Sequence, residues 1–384
     1  MRTASSRGFG RVTPSSTGAS EGTIIASGEG NRTGRHEFQD AQGLALDFDG
    51  AVFVADYSKH AVVRWSPGAV EGIIIAGGNG AGAGLHQLQG LWGDQGWPSG
   101  PFFYPMSGVA LDHDGAVVIA DYNNHRVVRW APRAAEGVVI AGGNGQGAGC
   151  HQLRNPSGVA LDRHGAVIIA DSHNDRVVRW CAGAAEGIVI AGGNGQGAGR
   201  HQLFFPQGIA LDTDGAVVIA DSVNHRVMRW CLGETEGTVI AGGNGEGAER
   251  HQLCYPCGVA LDHDGAVVIG DYMNNRVVRW APGAAEGVVI AGGNGPGPGR
   301  HQLYVPSDVA LTCIRRSRIA WNPRLHRMWP LSSRALVRIM LLIQSSRSHR
   351  GFVAVGPLLV SGILPFALPA LMLSPTQLRL SFFL

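Results

Sequence analysis

The stretch GVALDRHGAVIIADSHNDRVVRWCAGAAEGIVIAGGNGQGAGRHQLFFP, Gly158 to Pro206, decides the fold, because it recurs along the chain. In its counterpart at Gly108 the four apolar runs are GVALD, AVVIAD, RVVRW and GVVIAGG, rich in Val and Ile. Each run is too short for a helix, and turn residues bound it: Asp114 and Gly115, then Asn123 and Asn124, then Glu136 and Gly137. Each repeat is therefore expected to form four antiparallel strands. The run AVVIA is apolar at consecutive positions, so both faces of its strand need cover, and one sheet alone cannot supply it. Neighbouring repeats must.

Further copies begin at Gly43, Gly208 and Gly258, with a period of 50 residues that lengthens to 65 only between Gly43 and Gly108. Stacking such sheets around an axis gives a β-propeller, an all-β architecture whose sheet edges are short and whose ring closes on itself. The chain ends give the blade number. Residues 21–38, EGTIIASGEGNRTGRHEF, match the last strand and linker of a repeat, and PSDVAL at Pro306 to Leu311 matches the first strand of another. One missing blade is thus supplied from both ends, for six in all. Its two middle strands are expected between Thr312 and about residue 345, where RSRIAW and ALVRIMLLI are the candidates, neither fitting the repeat.

Proline, then GVALD, then Asp-Gly, then ADxxNxRVxRW resembles the NHL repeat, whose members form six-bladed propellers. The pattern stands at Gly108 to Trp130, Gly158 to Trp180, Gly208 to Trp230 and Gly258 to Trp280, and with the linkers it covers residues 21–311. The copy at Gly43 departs from it, with Lys59 and Ala61 where the others have Asn and Arg. If the family's Asp and Arg pair within a blade, Asp56 lacks that partner. The resemblance implies either a binding propeller or, among its enzymes, an amidating-lyase-like activity with a metal in the central channel. It also includes propellers that read single-stranded RNA.

Repetition separates structural from functional residues, since a binding cluster usually breaks symmetry. His86, His151, His201, His251 and His301 recur before Gln-Leu, and blade symmetry would spread them on a wide ring rather than gather them on one ion. Asp121, Asp171, Asp221 and Asp271 are expected to satisfy turn N–H groups or the Arg five residues later. The glycine-rich GGNGQGAG at Gly142 to Gly149 has a strand, not a helix, after it, so it reads as a flexible connection rather than a phosphate loop. DHDG at Asp112 to Gly115 lacks the ligands of a calcium loop and reads as a hairpin turn. Cys254 and Cys257 form a CYPC pair with no second pair and no helical context; Cys181 and Cys231 are equivalent in successive blades and too far apart to bond. No metal, cofactor or catalytic constellation is expected.

The asymmetric feature is the insert QGLWGDQGWPSGPFFY, Gln89 to Tyr104, which places Trp92, Trp97, Phe102, Phe103 and Tyr104 in a linker that the other blades keep short. These aromatics either anchor a partner or fold down to plug a groove between blades. Charge is also divided. Residues 1–308 carry 21 basic and 29 acidic side chains, a net of −8, whereas residues 309–384 hold 10 Arg and no acid. The acidic body opposes RNA binding overall, although Arg126, Arg176, Arg226 and Arg276 could cluster locally. Residues 1–20 read as a leader, with a composition like an organelle transit peptide. Residues 351–373 are uncharged and long enough for a membrane span, against which stand Pro357, Pro365 and Pro369. The abrupt end of the repeat after Leu311 also fits a change of reading frame or a retained intron. The expectation is a non-enzymatic, monomeric interaction scaffold with a protein partner, cytoplasmic or tethered to a membrane; the enzyme and RNA readings are its alternatives.

Overall fold

Each repeat folds, in the computed structural model of the protein, as one four-stranded antiparallel sheet with its strands in chain order. The structure describes residues 22–27, 41–57, 59–69, 71–89, 108–297, 301–314, 336–343 and 351–355. The third blade is representative: strands Pro156–Leu161, Val167–Asp171, Arg176–Trp180 and Ile188–Gly192. A turn opened by Asp162 joins the first two strands; its carboxylate accepts from the backbone N–H of His164 and Ala166, 2.8 and 2.9 Å away. A 3-10 turn, Ser172–Asn174, joins the next two and ends at Asp175 with φ near +49°, a left-handed position that Asp, Asn and His tolerate. Its counterparts end on His125, His225 and Asn275.

The apolar runs bury both faces, as their composition demands. In the second blade Val117 and Ile119 pack toward the first blade, while Val118 and Ala120 pack toward the third, against Ile169, Val178 and Trp180. The same two-sided packing recurs at the next seams. In the five repeats the third strand ends in a buried Trp whose indole N–H is also satisfied: Trp180 Nε1 donates to Ala184 O at 2.9 Å.

The innermost strands touch in an unbroken circle, and the sixth blade closes it. That blade is composite: Pro306–Ile314 is innermost, then Leu336–Ile343, then Gly351–Val355, and Gly22–Ser27 from the other end of the chain is outermost. ALVRIMLLI thus supplies one middle strand, whereas the other lies past residue 345, beyond the window expected for it. With no repeat in this segment, the sequence carried no marker of where the chain would turn back. RSRIAW lies outside the described residues. Gly351–Val355 opens the stretch considered as a membrane span and is here a strand of the propeller; residues 356–373 lie outside the described residues, as do residues 1–21. Among the described residues, no helix is long and apolar enough to cross a membrane.

Candidate functional site

The antiparallel register sets Asp121 directly opposite Arg126, and equivalent pairs stand at Asp171–Arg176, Asp221–Arg226 and Asp271–Arg276. In the fourth blade Asp221 Oδ2 accepts from Arg226 Nε at 2.7 Å and Asn224 Nδ2 at 2.8 Å, and its Oδ1 accepts from Phe204 N at 2.7 Å. The rest of the guanidinium reaches back to the linker before the blade, donating to Ala198 O, Gly199 O and Gln202 O at 2.6, 2.9 and 3.0 Å. Each carboxylate therefore serves both the backbone N–H and the Arg expected for it, and each pair clasps a linker. Burial pushes these four carboxyls up, against the Arg, Asn and backbone donors that pull them down. The arginines considered for a basic cluster are thus buried in separate seams. In the first blade Ala61 replaces the clasping Arg, and Lys59 Nζ stands 3.9 Å from Asp56 Oδ2.

The glycine-rich loop accordingly differs from a flexible connection. In the linker before the third blade, Gln146 bridges to Leu153, whose side chain is fully buried, and Asn144 Nδ2 donates to His151 O at 3.0 Å. Its carbonyls face a guanidinium, the opposite polarity to the ring of N–H groups that a phosphate requires. The five recurring histidines are exposed, one to a linker. DHDG is a hairpin turn: Asp112 Oδ1 accepts from the backbone of Asp114 and Ala116. Its counterpart brings Asp262, His263 and Asp264 within reach of one another, but Arg279 already binds both carboxylates, at 2.7 and 3.2 Å. Cys254 and Cys257 are buried; burial and the neighbouring Glu246 push the Cys254 thiol up to about 12, so CYPC does not present a thiolate.

Sequence reasoning missed the residue just before the first proline of blades three to six. Asn155, Phe205, Tyr255 and Val305 all adopt positive φ and plug the seam behind the 3-10 turn. Phe205 is buried; its N–H donates to Asp175 Oδ1 at 2.8 Å and its ring meets His173 edge-on. His173 in turn lies 2.9 Å from the Tyr122 hydroxyl, and burial holds its imidazole down at about 4. The available signal was a residue varying in size between the fixed His-Gln-Leu and the strand.

At the seam between blades one and two the linker continues into the insert. Leu88 is buried there and the N–H of Gln89 donates to Asp121 Oδ1 at 2.9 Å, so the aromatic insert leaves from a fixed root. An open notch adjoins it, lined by Tyr57, His60, Leu88, Gln89, Ile119 and Asp121. Trp92, Trp97, Phe102, Phe103 and Tyr104 lie outside the described residues.

The two faces of the disc also differ in charge. The face with the hairpin turns carries 15 acidic and 7 basic described side chains, whereas the linker face away from the axis carries 8 of each. Among the described side chains the hairpin-turn face is thus the acidic one.

The family model of the NHL repeat matches residues 107–130, 153–180 and 205–229. These repeats are NHL repeats. The NHL propeller is similar in fold to a protein provisionally described as a gluconolactonase, with 13% identity, a TM-score of 0.53, and coverage of 88% of this chain and 93% of that one. It is similar also to a protein of unknown function from Bacteroides thetaiotaomicron, at 16% identity and a TM-score of 0.54, covering 76% and 70%. A streptogramin B lyase aligns at 12% identity with a TM-score of 0.41, over 70% and 72%. No curated protein matches the chain. At these identities the likeness is one of fold.

Proposed function

We propose that this NHL propeller is a non-enzymatic scaffold that binds a protein partner. The observation that carries this reading is the contrast between the short linkers of the later repeats and the one between blades one and two, which carries an insert. The insert, with five aromatic side chains, leaves from Gln89, held on Asp121, beside a notch between rigid sheets. Loops rooted on a stiff framework suit recognition, and aromatic side chains are the groups that most often carry binding energy. In blades two to five the recurring clasp arginines are engaged with linker carbonyls and the turn aspartates with backbone N–H groups.

Affinity capture with the full chain, compared with a chain lacking Gln89 to Tyr104, tests the proposal. Loss of the captured partner on deletion supports it. Retention of every partner removes the insert as the binding element, and zinc or calcium bound stoichiometrically to the purified protein would favour an enzyme instead. A salt-dependent shift with single-stranded RNA would favour the RNA reading; the engagement of Arg126, Arg176, Arg226 and Arg276 inside the clasps speaks against it.

A further inference from the structure

Between the repeated His-Gln-Leu and the first proline of blades three to six, two residues change from one repeat to the next: Arg154-Asn155, Phe204-Phe205, Cys254-Tyr255 and Tyr304-Val305. The first of the pair is nevertheless held in one frame. The N–H groups of Arg154, Phe204 and Cys254 donate to Asp171, Asp221 and Asp271 at 2.6, 2.7 and 2.7 Å, and their carbonyls accept from the N–H groups of His173, Val223 and Met273 at 3.2, 3.3 and 3.2 Å. The side chain here thus varies without disturbing the bonds that hold its backbone. These residues directly precede the innermost strands, so they lie around the axis on the linker face.

Arg154 is the cation of this set. Its side chain is exposed and, among the described residues, forms no ion pair: Asp171 is taken by Arg176 and Asn174, and Asp175 accepts from Phe205 N–H. Beside it His125 Nδ1 accepts from Asn155 N–H at 3.2 Å, which puts the imidazole proton on Nε2, and His173 Nε2 meets the Tyr122 hydroxyl at 2.9 Å. Burial, and after it the Arg154 charge, holds both imidazoles below their ordinary value, so near neutral pH they are uncharged.

We propose that this part of the linker face binds a carboxylate carried by an apolar peptide segment: Arg154 takes the carboxylate beside His125 and His173, and Phe204, half-buried at the same position of the next blade, meets the neighbouring apolar side chain. One guanidinium with two carboxylates near it suits a single carboxylate better than the run of charges on a nucleic acid. The site uses no residue of the aromatic insert and so goes beyond the reading above; its failure would leave that reading standing.

The test is NMR of the His125 and His173 imidazoles in the full chain near pH 7 as acetyl-Leu-Phe, acetyl-Leu-Phe-amide and acetyl-Asp-Leu-Phe-amide are added. The expected result is a saturable shift of both signals by the peptide with a terminal carboxylate or by the one with a side-chain carboxylate, which tells the two sources apart, with the uncharged amide binding about tenfold more weakly. Arg154→Gln should remove the same factor; Gln89 holds this place after Leu88 with its N–H on Asp121, so the frame accepts glutamine. Equal binding of acid and amide, no shift with any of the three peptides, or undiminished affinity in Arg154→Gln would overturn the site. A shift by uridine monophosphate alone would overturn the carboxylate in favour of a nucleotide.

Discussion

Replacing Arg226 with Ala removes one clasp while leaving its neighbours intact. The side chain is 6% exposed, Asp221 is fully buried, and four hydrogen bonds are lost together: one to the carboxylate and three to the carbonyls of Ala198, Gly199 and Gln202. Breaking a buried pair from one side costs about 3–5 kcal/mol, because the remaining charge is left without its counter-ion. In a domain of this size that is a fall of roughly 10 °C in Tm. The pH dependence identifies the cause. The carboxyl of Asp221 is already raised by burial with Arg226 pulling it down, so without Arg226 it rises further. A raised carboxyl contributes most below its unfolded value, and that contribution is lost as pH climbs through the folded value. The deficit of Arg226→Ala should therefore be about 1–2 kcal/mol smaller at pH 5 than at pH 8. Urea unfolding at the two pH values measures it, and hydrogen exchange should show residues 196–203 losing protection. Arg226→Lys, which keeps the charge without the planar fork, should fall between wild type and Ala. A deficit below about 1 kcal/mol, or one equal at both pH values, would refute the clasp as a source of stability.

Other expectations follow from the same geometry. Gly208→Ala forces a methyl into the Cys257 carbonyl and should lower stability by more than about 2 kcal/mol, whereas Gly215→Ala, at φ +85° with open space around it, should cost only about 1–2 kcal/mol of backbone strain; thermal unfolding of the two variants checks the order. In the native protein an alkylating reagent should modify exposed Cys150 while sparing buried Cys254 and Cys257, as peptide mass mapping would show. Modification of the buried pair at the same rate would contradict their placement in the blade seam.

The repeat and its strands were legible before any coordinates, because each 50-residue unit carries its own turn residues and an apolar run that cannot be covered from within. The broken copies at residues 21–38 and at Pro306 to Leu311 also announced the composite sixth blade, whose outer and inner strands are Gly22–Ser27 and Pro306–Ile314. The partners of Asp221 and Arg226 were legible in part: their opposition follows from the hairpin, but the reach of the guanidinium to Ala198, 28 residues earlier, does not. The seam plugs at Phe205 and Tyr255 and the contact of Asp308 with Leu44 belong to the same class, because each joins residues whose nearness is set by the closing of the ring rather than by any local pattern. Alternation and turn chemistry act over a few residues and so are written in the chain itself. Which groups meet across a seam depends on how the sheets stack, and only the closed propeller decided that.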